Sequence, residues 1–192
     1  MFFYAARIFM PVVTIASTSL VASNALASSA LKVGDTAPQF ELKTQDGETF
    51  SLQARKGKGW TILYFYPKAG TPGCTKQACA FRDAADQIKK QNAEVFGVST
   101  DTVEKLAAFQ KEHKLTFTLL ADPDAKVTQA FGVKLPVVKL AKRWTFIIDP
   151  EMKIRHINEK VDPLLDAKQV IATLQTLQEK KDSENLSEKK KK

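Results

Sequence analysis

The chain has 192 residues, 44% hydrophobic and 26% charged, with two cysteines and a formal net charge of +8. These values exclude collagen-like, mucin-like and wholly disordered chains and a disulfide-stapled mini-protein. With only His113 and His156 to join Cys74 and Cys79, they also fit no common structural zinc pattern. Without Arg7 at the start and the six lysines and four acids of 179–192, residues 28–178 hold 22 bases against 17 acids, a net of +5. That excess is spread along the chain, without the arginine runs or aromatic–basic interleaving of a nucleic-acid module.

Residues 1–27 have the layout of an export signal: Arg7, an apolar middle over Ile8–Ala22, and the small-x-small site Ala25-Leu26-Ala27. Thr14, Ser17, Thr18, Ser19 and Ser23 interrupt the apolar run, which argues against a permanent anchor, and a single arginine argues against a transit peptide. Export is therefore expected, to a compartment such as the bacterial periplasm, without stable membrane association. Residues 28–178 form one domain's length of chain. Residues 179–192, nearly devoid of apolar residues and ending in four lysines, are expected to be a solvated, disordered tail.

Within the domain, Phe40–Leu42 and Glu48–Ser51 flank a Gln45-Asp46-Gly47 turn and suggest short strands. Thr61–Tyr66 is a continuous apolar run ending at Pro67, as in a central strand covered on both faces. Beyond a Gly/Pro loop, apolar residues recur at Cys74, Ala78, Phe81, Ala85 and Ile88, the spacing of one helix face. Val95–Ser99 is a second buried strand, and Asp101 is placed to cap a helix bearing Val103, Leu106, Ala107 and Phe109. Phe117–Leu120 suggests a strand and Ala125–Phe131 a helix stopped by Gly132. Trp144–Ile148 and Lys153–Ile157 suggest a hairpin, and Asp166–Gln178 a closing helix. The order predicts an α/β fold, a central sheet with helices on both faces.

The chemistry concentrates between Pro67 and Arg82. Cys74 falls in the first turn of a helix just past the carboxyl end of a buried strand, where open α/β sheets place their ligands. Free N–H groups and the positive helix end favour an anion there, so a thiolate nucleophile is expected. Thr71 is placed to present its hydroxyl to the same point. A plainer reading stands beside this one, in which Cys74 is a core cysteine and Thr71 a helix cap.

Pro67-x3-Thr71-x2-Cys74 resembles the active-site motif of peroxiredoxins. The longer string Tyr64–Asp83, with Cys79 five residues after Cys74, is similar to the Q-type, or bacterioferritin comigratory, members of that family. Val33-Gly34-Asp35-x-Ala37-Pro38-x-Phe40, Gly97-Val98-Ser99-x-Asp101 and Arg143-x-Thr145-Phe146-Ile147-Ile148-Asp149 resemble its flanking motifs, extending the similarity over 31–178. The resemblance implies a thioredoxin-like fold and a thiol peroxidase, with Cys74 peroxidatic and Cys79 resolving. Thr71 and Arg143 would bind the peroxide oxygens and stabilise the thiolate, and Pro67 would shield the pocket. It further implies no metal, haem or flavin cofactor, a monomer, and re-reduction of a Cys74–Cys79 disulfide by thioredoxin or a periplasmic thioredoxin-like dithiol. Spacing alone gives Arg143 no distinction from Lys139 and Lys142. Trp144 departs from the smaller residue expected between Arg143 and Thr145, and bears on the expected rim of the pocket.

Two other classes stay open. A thioredoxin-like disulfide oxidoreductase needs Cys-x2-Cys at the helix start, whereas the spacing here is Cys-x4-Cys. A non-enzymatic exported binding domain would use both cysteines in a static disulfide. Five residues of helix separate Cα atoms by roughly 8.6 Å, beyond the roughly 7 Å that a disulfide spans, so a permanent bond conflicts with the predicted helix.

Overall fold

A computed structural model describes residues 30–189; the expected leader, 1–27, lies outside the described residues. Twelve elements follow in chain order, of which the sheet uses β1 (Glu41–Thr44), β2 (Thr49–Ser51), β3 (Trp60–Phe65), β4 (Ala93–Ser99), β5 (Thr118–Ala121), β6 (Trp144–Ile148) and β7 (Ile154–Asn158). The helices are α1 (Pro72–Lys90), α2 (Val103–His113), α3 (Lys126–Ala130) and α4 (Asp166–Lys189), with a 3₁₀ turn at Gln53–Arg55. Among these no helix is long and apolar enough to cross a membrane.

The sheet order is β2-β1-β5-β4-β3-β6-β7. β4 runs parallel to β3 and β5, whereas β1–β5, β3–β6 and the two hairpins are antiparallel. The sheet is therefore mixed. β3 is central, and all six of its residues are buried, as its uninterrupted apolar run requires. Its side chains alternate between two cores. Trp60, Ile62 and Tyr64 face a cluster with Cys74, Ala78 and Phe81 of α1, Leu106 and Phe109 of α2, and Val170 and Leu174 of α4. Leu63 and Phe65 face the opposite cluster, with Val127 of α3, Phe131 just beyond it, and Phe146 of β6. Helices cover both faces, three on one and the short α3 on the other.

Most sequence boundaries move by one or two residues, and two expectations change further. Asp101 does not cap α2. Thr102 holds that position without a side-chain bond, while Asp101 Oδ2 accepts from Ala69 N at 2.8 Å and Ser99 Oγ at 3.0 Å. The carboxylate thus ties the end of β4 to the loop before α1. The closing helix does not stop at Gln178 but continues to Lys189, through most of the segment expected to be a disordered tail. Lys181 explains part of this: its Nζ reaches Glu151 Oε2 at 2.6 Å and lies 5.9 Å from the Trp60 ring centroid. A flexible-looking polar sequence can propagate a helix once its first turns are packed.

Gly97 marks a close approach inside the larger core. A Cβ there would lie 2.6 Å from Tyr64 Oη and 2.9 Å from Leu119 Cδ2. Tyr64 is fully buried and stacks on Phe81 with centroids 4.7 Å apart, so it has little room to retreat. Gly97→Ala is expected to cost about 1–3 kcal/mol by overpacking. Urea unfolding of the two proteins measures it.

Candidate active site

The loop after β3 turns the chain into α1, and Thr71, at the N-cap, leads Pro72 and Gly73 into the first turn. Proline suits this turn because its missing N–H would have no helical partner there. Cys74 follows, only 1% exposed, as the first member of the helix's buried stripe. Cys79 lies further along the same continuous helix, half-buried, and both thiols are free. A static Cys74–Cys79 disulfide is incompatible with the continuous α1 that carries both residues.

Arg143 immediately precedes β6. Antiparallel pairing sets Trp144 opposite Phe65 and Thr145 opposite Tyr64. The start of β6 thus lies beside the carboxyl end of β3, which leads to Cys74. Arg143 Nη2 donates to Cys74 Sγ at 3.3 Å across 69 positions of sequence. Gly73 gives the guanidinium its access: a Cβ there would meet Arg143 Nη2 at 3.3 Å. An anionic sulfur at this point faces both a guanidinium and the positive end of α1.

The other expected site residues are placed less directly. The Thr71 hydroxyl donates to Lys68 O at 3.0 Å, so it is neither a side-chain cap nor bonded to the sulfur. Its lone pairs remain acceptors. Pro67 is half-buried where β3 passes into the active-site loop. Trp144 does not rim this site. Period-two alternation sends it to the opposite face, where it packs on the Phe146 cluster with centroids 6.2 Å apart and carries Lys142 Nζ over its ring. The expectation that it shapes the pocket rim is corrected by that geometry.

The sequence reading gives Gln77 and Asp166 no site role. Gln77 Oε1 accepts from Arg143 Nη1 at 2.6 Å, and its Nε2 donates to Asp166 Oδ2 at 2.7 Å. Thr145 Oγ1 donates to the same oxygen at 2.7 Å. Gln77, Thr145 and Asp166 are all fully buried. Burial pushes the Asp166 carboxyl above its ordinary range, while the bonds from Thr145 and Gln77 work against that rise. Burial likewise holds the Tyr64 phenol neutral beside this network. The available signal for Gln77 was its position three residues after Cys74, on the buried side of α1. Nothing local distinguished Asp166 from an ordinary acidic residue in a first helical turn.

Comparison with known proteins identifies the family. The AhpC/TSA family model matches residues 33–157. Peroxiredoxin Bcp of Escherichia coli (strain K12) is 46% identical over 133 residues, covering 66% of this chain and 85% of that protein. The chloroplastic peroxiredoxin Q of Triticum aestivum is 42% identical over 158 residues, covering 81% of this chain and 72% of that protein. Among solved structures, peroxidoxin BcpB from Mycobacterium tuberculosis superposes with a TM-score of 0.73 at 37% identity, covering 76% of this chain and 97% of that one. Xanthomonas campestris peroxiredoxin Q gives 0.68 at 31% identity, covering 71% and 90%. A thioredoxin-like sheet, a free thiol at a helix start with an arginine on its sulfur, and these relatives lead to one conclusion: the chain belongs to the AhpC/TSA peroxiredoxins, on their Bcp/peroxiredoxin Q branch, and is a thiol-dependent peroxidase.

Proposed function

We propose that Cys74 is the peroxidatic residue, reducing hydrogen peroxide and organic hydroperoxides, and that Cys79 resolves its oxidised form. The observation that carries this assignment is the 3.3 Å contact of Arg143 with Cys74 Sγ at the start of α1. The Cys74 thiolate attacks one peroxide oxygen, the O–O bond breaks, and the leaving oxygen takes a proton to depart as water or an alcohol. Arg143 donates to the oxygen on which negative charge develops, while Thr71 accepts from the peroxide O–H and Pro67 shields the thiolate from bulk water. Cys74 is left as a sulfenic acid. The Cys79 thiol condenses with it, releasing water and forming the disulfide. A thioredoxin-like dithiol then reduces that bond by exchange and is itself oxidised.

Condensation requires movement. In a continuous α1 the two Cα atoms stand roughly 8.6 Å apart, too far for a disulfide. The first turns must unwind around Cys74–Ala80 while Phe81 and Ile88, fully buried, hold the rest of α1 on the sheet. Cys79→Ser is expected to complete a single peroxide turnover and then stall. Mass spectrometry should find the Cys74 sulfenic acid in place of the Cys74–Cys79 disulfide. Continued turnover of this variant at the unmodified rate with a thioredoxin-type reductant would remove Cys79 from the cycle.

We further propose an exported monomer, re-reduced by a dithiol of the receiving compartment. Arg7, the apolar Ile8–Ala22 stretch and Ala25-Leu26-Ala27 support export, and the family match begins only at residue 33. Intact mass of the natively produced protein should give a new N-terminus at Ser28. Full-length chain recovered from the cytosol would overturn it.

A further inference from the structure

Arg143 touches Cys74 with one nitrogen only. Its aim is decided by what holds the other, Gln77, and Gln77 has no freedom of its own because both ends of its buried amide are engaged. A guanidinium only donates, so it must face the amide oxygen; the Asp166 oxygen that receives Thr145 Oγ1 must face the amide nitrogen. Rotating the amide by half a turn would set N–H groups against the guanidinium and oxygen against oxygen at Asp166. Asp166 is itself fixed at the start of α4, where its backbone N–H bonds to Asp162 O at 3.0 Å.

The neutral amide also matters electrostatically. Among the described residues no carboxylate lies within ion-pair distance of Arg143. Asp166 therefore orients the guanidinium through a spacer without directly neutralising the charge presented to the sulfur. Its second oxygen, Oδ1, is buried and makes no hydrogen bond within 3.5 Å among the described residues, although the Asn158 side chain on β7 lies close enough to favour the charged carboxylate. Asp166 lines a cleft of about 260 Å³ between β7 and α4, together with His156, Asn158, Gln169, Val170 and Thr173. Groups facing Asp166 thus come from four directions: Gln77 on α1, Tyr64 on β3, Arg143 and Thr145 at β6, and His156 with Asn158 on β7. Burial depresses the His156 pKa, so the cleft adds a weakly basic imidazole in place of a fixed charge.

We propose that Asp166 is a positioning residue for the peroxide step: it locks the Gln77 amide, and through it holds Arg143 on Cys74. The proposal rests on Cys74 being the peroxidatic thiol, and that assignment is tested separately by Cys74→Ser. For Asp166 the experiment compares two rates in the full-length protein, oxidation by hydrogen peroxide and reduction of the oxidised protein by dithiothreitol. Asp166→Ala should slow oxidation about tenfold, the kinetic equivalent of losing one hydrogen bond in a charged network, and leave reduction within about twofold. Asp166→Asn keeps an acceptor for Gln77 and Thr145 and should recover most of the oxidation rate. An oxidation rate unchanged in Asp166→Ala would overturn the proposal. So would equal slowing of both steps, which marks a merely structural role, or an Asn variant as slow as Ala, which marks a need for charge. If Asp166→Ala does not fold, Thr145→Val removes one of the two bonds that fix the carboxylate. It should slow oxidation alone by a few-fold, and an unchanged rate there would equally overturn the proposal. A dead Cys74→Ser with a normal Asp166→Ala would leave the peroxidatic assignment standing and remove only Asp166.

Discussion

Cys74→Ser should abolish peroxide reduction while the protein stays folded. The substitution replaces a thiol by a smaller hydroxyl that can still accept from Arg143, so the half-buried guanidinium keeps a partner at the helix start. A serine hydroxyl is not oxidised by peroxide, and no sulfenic acid forms at residue 74. Cys79, half-buried and without the helix N-terminus, cannot substitute for it. Peroxide consumption in the presence of a dithiol should fall to the buffer rate, with unchanged circular dichroism. Retention of the original activity by a folded Cys74→Ser protein would return Cys74 to the role of a core cysteine.

Arg143→Ala should have the next largest effect, on one step only. The guanidinium donates to the sulfur and is placed to donate to the oxygen that leaves, and loss of such a donor costs about 10²–10³ in rate. Gln77 Oε1 would also lose its donor. The second-order rate of Cys74 oxidation should drop by that factor, and reduction of the preformed disulfide should change little. Arg143→Lys should recover only part of the loss. A single ammonium cannot reach Gln77 Oε1 and Cys74 Sγ with the fixed fork that a planar guanidinium provides. An oxidation rate unaffected by Arg143→Ala would leave Arg143 as a surface base at the start of a strand.

Local periodicity carried most of the fold. The uninterrupted apolar run at Thr61–Tyr66 marked the central strand, and the recurrence Cys74, Ala78, Phe81, Ala85, Ile88 marked the inner face of α1, on which all but the half-buried Ala85 are buried. Both signals survive because they follow from burial of contiguous chain, which tertiary context does not reverse. The Pro67–Cys74 loop was legible for the same reason, since proline, glycine and a thiol sit together within one turn of sequence. The proposal of export rests on the sequence of residues 1–27 alone, and these lie outside the described residues.

Other features needed the assembled sheet. Asp101 looked like a helix cap, but its carboxylate found the Ala69 N–H 32 residues away instead. The tail after Gln178 looked unstructured because its composition is polar; packing of the preceding turns, with Lys181 on Glu151, carries the helix onward. Trp144 and Arg143 are adjacent in sequence yet belong to opposite faces, and only the β3–β6 register decides which of them meets Cys74. The arrangement Cys74–Arg143–Gln77–Asp166 joins residues separated by 69, 66 and 89 positions. No window of sequence contains such a set, because hydrogen bonds of this kind depend on how strands pair and helices dock, and those choices are made by the whole core at once.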